Sequence, residues 1–217
     1  PSWLYYGPLL RQSLPASMNM FLIALGSIVI TAAVAQFGED AVAGLGVALR
    51  IEQLVLLPTV GLNIAVLSIV SVNFGGKQYQ RMTQVAHDSI TMGITLMIVS
   101  GITLFIFAPS LISLFTDNPA VIDIGTGYLR VEAIVLPAYV ISFVSGAVLQ
   151  GMKRPIIPLY FNIVRQLILP LSFIAIALNV LNTSIFGVWW SIAIATWITA
   201  TIQLLHMRKM IEQQRYH

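Results

Sequence analysis

Six apolar stretches, each about as long as a bilayer's hydrocarbon core is thick, follow one another between residues 12 and 207 with only short polar connections. An α-helix rises 1.5 Å per residue, so about 20 apolar residues cross a core of ~30 Å. The uncharged runs at 12–38, 54–76, 89–116, 133–152, 166–181 and 182–205 fit that length once the fifth is extended back through Arg165 to Ile156. Transmembrane β-strands would need about half the length and would alternate strictly. The pattern predicts an all-α membrane protein in which residues 1–217 form one six-helix transmembrane unit, with helices over roughly 12–37, 41–74, 84–115, 119–151, 155–181 and 184–207. At 58% hydrophobic and 9% charged, the chain is far from the roughly 25% charged residues of a soluble domain.

The loop charges set an orientation, because Lys and Arg accumulate on the cytoplasmic side and acidic residues carry little topological weight. Arg11, Lys77, Arg81, Lys153, Arg154, Arg208, Lys209 and Arg215 fall before helix 1, between helices 2 and 3, between helices 4 and 5, and after helix 6. The intervening loops hold Glu39 and Asp40, Asp117, and Asn182-Thr183-Ser184, with no Lys or Arg. A multi-pass protein of the cell membrane with both ends cytoplasmic is expected. The net charge of +3 follows from this loop bias and implies the lipid bilayer, not nucleic acid, as partner. The chain starts at Pro1 without a signal-peptide pattern, so it is expected to be a piece of a longer protein. It has no Cys, and its three His stand apart at 87, 206 and 217, so no metal site or cofactor is expected.

Several helices carry breakers. Pro15, Pro58 with Gly61, Pro137 and Pro170 fall in helices 1, 2, 4 and 5, and intramembrane Pro is tolerated where neighbours or a water-lined cavity satisfy the freed backbone. Helices 2 and 4 also share a motif, Leu49-Arg50-Ile51-Glu52 before Pro58 and Leu129-Arg130-Val131-Glu132 before Pro137. It is read either as the trace of an internal duplication or as coincidence in simple text.

Depth separates the charges. Arg50, Glu52, Arg130 and Glu132 fall near one interface, where long side chains snorkel. The i, i+2 spacing points each Arg and its neighbouring Glu to different faces. Arg165 lies roughly 14 Å beyond Ile156, near mid-membrane. A charge there costs at least ~2.5–3.5 kcal/mol, so it is expected to face the interior among carboxylates or carbonyls, with Gln166 beside it. Polar residues at helical spacing mark cavity faces: Glu52, Thr59 and Asn63 on helix 2, and Glu132, Tyr139 and Ser142 on helix 4. Helix 1 mixes Ser13, Ser17, Met18, Asn19, Met20 and Phe21, and Met and aromatic groups repack readily around varied guests. No carboxylate pair, Ser/His/Asp set, HExxH or glycine-rich phosphate loop is visible, so an enzyme is not expected.

The run Gly38-Glu39-Asp40-Ala41-Val42-Ala43-Gly44-Leu45-Gly46, followed by Arg50-Ile51-Glu52-Gln53, Pro58, Gly61-Leu62-Asn63-Ile64-Ala65 and Val72-Asn73-Phe74-Gly75-Gly76, resembles the second helix of a lobe in multidrug and toxin extrusion (MATE) transporters. Tyr128-Leu129-Arg130, Pro137 and Leu149-Gln150-Gly151-Met152-Lys153-Arg154-Pro155 resemble the fourth. The resemblance implies the carboxy-terminal lobe, helices 7 to 12, of a twelve-helix transporter whose partner is an amino-terminal six-helix lobe. It further implies rocking-lobe export of small cationic or amphipathic compounds in exchange for H⁺ or Na⁺. Some members bind the coupling cation in this lobe through acidic residues at positions that correspond here to Ile23 and Tyr139. Neither supplies a carboxylate, which puts the expected coupling site in the amino-terminal lobe.

The substrate-binding candidates are Met18, Asn19, Met20, Phe21, Asn63, Tyr139 and Ser142. The expected buried polar network is Arg50, Glu52, Gln53, Arg130, Glu132, Arg165 and Gln166. The alternatives are a lipid-linked or polysaccharide flippase of the same superfamily, or a non-transporting membrane scaffold or receptor.

The loop-charge count predicts a labelling pattern. Single cysteines at Asp40, Asp117 and Thr183 should react with an impermeant thiol reagent added outside intact cells, and cysteines at Gln78 and Lys153 should be protected. The opposite pattern would invert the topology.

Overall fold

The computed structural model describes the backbone of residues 6–181 and 183–215, and the side chains of residues 6–13, 15, 16, 19, 20 and 215 are outside that description. The helices are α1 (Tyr6–Ala35), α2 (Glu39–Gly75), α3 (Tyr79–Ser113), α4 (Pro119–Gly151), α5 (Ile156–Ile163), α6 (Leu169–Asn179) and α7 (Ile185–Arg215). A π-helical turn, Val164–Ile168, joins α5 to α6. The spans Glu39–Gly75, Tyr79–Ser113, Pro119–Gly151, Ile156–Asn179 and Ile185–Gln214 are each long and apolar enough to cross a membrane, and Phe21–Ala35 is a shorter apolar part of α1.

Three helices outrun the apolar stretches that revealed them. α1 starts at Tyr6, α3 at Tyr79, and α7 continues to Arg215. Hydropathy marks the hydrocarbon-length portion only, whereas Gln, Arg, Lys and Glu in the flanks are good helix formers that carry the same hydrogen-bond ladder onward.

Helix α4 is the axle of the bundle. Leu129, Val135, Leu136, Val140, Val144, Val148 and Leu149 are fully buried along it, with α2, α3 and α7 packed around it. Small residues allow the close approach, as is common where lipid offers no hydrophobic drive between helices. A Cβ on Gly44 would stand 3.0 Å from the Val121 carbonyl oxygen, and one on Gly101 would stand 2.7 Å from that of Ala133.

The contacts also give direction. Gly44 meets Gly125 and Gly151 meets Val70, so α2 and α4 run parallel. Gly93 meets Val140 and Gly101 meets Ala133, so α3 runs against them. Tyr128 meets Trp189, and Gln203 bonds the Ser142 carbonyl, so α7 is parallel to α4.

Two turns are near copies. After α2, the Gln78 N–H reaches the Asn73 carbonyl at 2.8 Å and that of Lys77 reaches Phe74 at 3.1 Å. After α4, Arg154 reaches Leu149 at 3.0 Å and Lys153 reaches Gln150 at 2.9 Å. Both are Schellman-like closures. Each puts a lysine in the left-handed region, Lys77 at φ 56° and Lys153 at φ 59°. At the other end, Asn118 caps α4 by accepting from the Ala120 N–H at 3.0 Å, and its Nδ2 donates to Asp40 Oδ1 at 2.9 Å, tying the starts of α2 and α4 together. Gly38, with φ 104° and ψ 176°, leads into α2 through a conformation that only glycine adopts readily.

The Gly101 contact has a measurable cost. Gly101→Val should force α3 away from the Ala133 carbonyl and lower stability by about 1–3 kcal/mol. Thermal unfolding in detergent should show a reduced midpoint, and an unchanged midpoint would mean that α3 does not pack this closely.

Candidate functional site

The fifth span breaks where its charge sits. In the π turn the Leu169 N–H reaches back five residues to the Val164 carbonyl, and Pro170 has no N–H to offer the carbonyl of Gln166. That carbonyl faces α1, where a Cβ on Gly26 would come within 3.1 Å of it. Such single π turns occur often at functional sites. Here the widened turn carries Arg165, which is buried at 6% exposure, into the bundle.

The guanidinium lies 5.3 Å from the centre of the Tyr139 ring and 6.0 Å from that of Phe143, and those two rings stack on each other. Its Nη2 donates to Asn162 Oδ1 at 3.3 Å. Above this level, Glu52 of α2 and Glu132 of α4 are both buried. The Tyr128 hydroxyl donates to Glu52 Oε2 at 2.7 Å, and the Tyr139 hydroxyl lies beside the Glu132 carboxyl. Tyr128 is held in turn by an edge contact with Trp189, centroids 5.0 Å apart. Glu52, Glu132 and Arg165 are within electrostatic reach of one another, although among the described residues no carboxylate comes within 4 Å of the guanidinium.

A cavity of about 330 Å³ opens from Arg165 and is lined by Val60, Asn63, Ser142, Phe143, Gln150, Asn162 and Gln203, among others. Arg165 Nε, Glu132 Oε1, Asn63 Oδ1, and the hydroxyls of Thr59 and Ser142 are buried without a hydrogen-bond partner among the described residues. Buried polar atoms are ordinarily satisfied by protein or water. A roomy polar pocket bordered by Arg165, Asn63 and Ser142 is suited to water, an ion or the polar end of a guest, with Phe143 and Val60 offering apolar surface beside them.

The sequence-derived candidates divide clearly. Glu52, Glu132 and Arg165 meet in one cluster, and Asn63, Tyr139 and Ser142 fall beside it. Arg50, Gln53 and Arg130 are exposed and not part of a buried network. At two residues' separation a helix turns about 200°, so burying each Glu turns its neighbouring Arg outward, and Arg130 instead caps the Phe105 ring at 5.5 Å. Gln166 is half-buried and packs its side chain against Gly26 of α1. Met18 and Phe21 are 46% and 63% exposed, in line with Leu14 and Ile28 on an outer stripe of α1, and neither borders the cavity. The side chains of Asn19 and Met20 lie outside the described residues. Arg165 finds aromatic faces and an amide oxygen, not the expected carboxylate or carbonyls, because Tyr139 stands between it and Glu132. The two glutamates, unpaired in sequence, do come together across α2 and α4.

Sequence reading passed over Tyr128, Phe143, Asn162 and Gln203. The signals were present: Tyr128 is four residues before Glu132 and Asn162 three before Arg165, one helical turn in each case.

A family model described as MatE matches residues 15–176. The probable multidrug resistance protein YpnP of Bacillus subtilis is 26% identical over 189 residues, 87% of this chain and 40% of that protein. The probable multidrug resistance protein NorM of Neisseria meningitidis serogroup B is 23% identical over 208 residues, 94% of this chain and 44% of its own length. In structure, the chain superposes with a TM-score of 0.94 on a MOP superfamily transporter from Pyrococcus furiosus, described as having a binding pocket of reverse polarity, at 22% identity over 99% of this chain and 48% of that one. The chain belongs to the MatE family and has the fold of one lobe of its transporters. It spans less than half the length of these relatives.

The polar centre predicts a ranking of substitutions. Arg165→Ala strips the cluster of its cation and should cost about 3 kcal/mol or more, as breaking a buried charged group's partnerships does. Tyr128→Phe leaves a Glu52 oxygen without its donor and should cost about 1–3 kcal/mol. Arg50→Ala, on an exposed side chain, should stay within about 0.5 kcal/mol of wild type. Unfolding midpoints of the three variants check the order, and an Arg50→Ala loss equal to that of Arg165→Ala would refute it.

Proposed function

We propose that the chain is the carboxy-terminal lobe of a secondary active exporter and that its polar cavity forms part of the path for small cationic or amphipathic compounds. The observation that carries this reading is the cavity at the π turn. Arg165 is the charged group on its wall, the carboxyls of Glu52 and Glu132 lie behind Tyr139 within reach of that guanidinium, and Phe143 and Val60 offer surface to an apolar body. Two carboxyls near one guanidinium beside apolar surface suit a positively charged amphiphile. The names of the multidrug resistance relatives support export of drugs.

Export requires a second state, so the proposal includes a partner lobe of six helices and alternating access by tilting of the two lobes in a cell membrane, with the basic loops facing the cytoplasm. Coupling is to H⁺ or Na⁺, with the ion's principal site in the partner lobe, since Ile23 and Tyr139 carry no carboxylate. The lobe itself acts as a rigid wall: α2, α4 and α7 move as one body around their buried contacts, and the fifth span, broken at Arg165, adjusts against α1.

Reconstituted into liposomes, the intact transporter should expel a lipophilic cationic dye when a proton or Na⁺ gradient is imposed, and the 217-residue lobe by itself should not. Dye export by the lobe alone would overturn the two-lobe reading. Export by the intact protein with no dependence on either gradient would overturn secondary coupling.

A further inference from the structure

On the side of α4 away from the polar cavity, α3 and α7 part and leave a window near the α4 N-terminus. Its floor is α4, with Asp123, Thr126, Gly127, Arg130, Val131 and Ile134, and its walls are Phe105 of α3 with Phe186 and Trp190 of α7, around a cavity of about 260 Å³. Phe186 and Trp190 are also the wall of a second hollow of about 550 Å³ between α6 and α7, lined by Phe173, Ile176, Leu181 and Ile194 among others. A small charged pocket and a larger apolar groove therefore share one wall.

The charges suit a particular occupant. Asp123 and Arg130 are exposed and border the same pocket, yet among the described residues they form no ion pair within 4 Å. They are two turns apart, ~10 Å along the axis, and a helical side chain leans toward the N-terminus, which aims Arg130 toward Asp123 without closing the gap. Gly127, one turn from each, leaves a notch between them, and Phe186 fills its deep side so closely that a Cβ there would stand 2.8 Å from the ring. The Thr126 hydroxyl is buried with no partner among the described residues. A cation, an anion and a free hydroxyl thus surround one notch at the depth where a snorkelling arginine reaches the headgroup layer.

We propose that this window binds one zwitterionic phospholipid bearing a primary amine, such as phosphatidylethanolamine. Its phosphate meets Arg130, its ammonium donates to Asp123, and one acyl chain lies in the groove between α6 and α7. Arg130, resting on the Phe105 ring, is held ready for a phosphate without a carboxylate competing for it. The proposal needs only that the chain lies in a bilayer and is independent of what the transporter exports.

Native mass spectrometry of the intact transporter in detergent, titrated with phosphatidylethanolamine, phosphatidylcholine and phosphatidylglycerol of identical chains, tests it. Wild type should retain phosphatidylethanolamine about fivefold or more over phosphatidylcholine, which has the same phosphate but no N–H to donate. Arg130→Gln should weaken phosphatidylethanolamine binding by about tenfold, a loss on the scale of a charge-assisted contact. Asp123→Asn should erase the preference over phosphatidylcholine while leaving phosphatidylglycerol binding in place. Arg81→Gln, a basic residue remote from the window, should change nothing. Equal retention of all three lipids by wild type, or an Arg130→Gln variant indistinguishable from wild type, would overturn the site.

Discussion

The constraint on which the rest of the structure depends is the housing of one guanidinium at mid-depth in an apolar bundle. Arg165 cannot be neutralised cheaply and cannot reach water along a lipid-facing path. The fold answers with three devices described above: a π turn that brings the side chain inward, a stacked aromatic pair that offers π faces to the cation, and two glutamates behind them on different helices. Each draws on its own part of the chain. The π turn uses Pro170 and the tolerance of Gly26, the aromatic pair comes from the middle of α4, and the glutamates come from the repeated motif at the starts of α2 and α4.

That convergence bears on how much could be read from residue order. The long apolar helices and the special standing of Arg165 follow from hydropathy and rise per residue, because a bilayer imposes a length that soluble folds do not. The polar stripe through Glu52, Thr59 and Asn63, and its counterpart through Glu132, Tyr139 and Ser142, was legible because 3.6-residue periodicity survives any tilt of the helix. Met18 and Phe21 stand apart from the cavity at Arg165, because periodicity tells which residues share a face but not which way that face turns. Arg50 and Arg130 were grouped with the buried set by proximity in sequence, although the geometry of two successive residue steps already turned them outward. The intervening position of Tyr139, which keeps Glu132 from Arg165, depends on how α4 and the fifth span are rotated against each other, and no local pattern records that.

The two hairpin starts show a further economy. Gly38 precedes Glu52 by the same interval as Asn118 precedes Glu132, and the α2–α4 contacts hold one constant offset from Gly44 against Gly125 down to Val70 against Gly151. Parallel neighbours in constant register place their glutamates at one height. A shift of either helix by a single residue would rotate its carboxylate by about 100° and out of the cluster. The ties at the top, Asn118 to Asp40 and the glycine pair below it, therefore also fix the electrostatics of the centre.

Register is equal at the top, but length is not: α2 has 37 residues and α4 has 33. The surplus turn emerges at the basic end, where Gly151 stops against Val70 and Ser71, so that Val72 to Gly75 continue past the floor of the bundle. In the proposed tilting of the lobes the tip of α2 would act as a lever. It stands ~50 Å from the Asp40–Asn118 tie, and a rotation of about 10° about that point would sweep it through roughly 9 Å, several times the displacement of anything near the pivot.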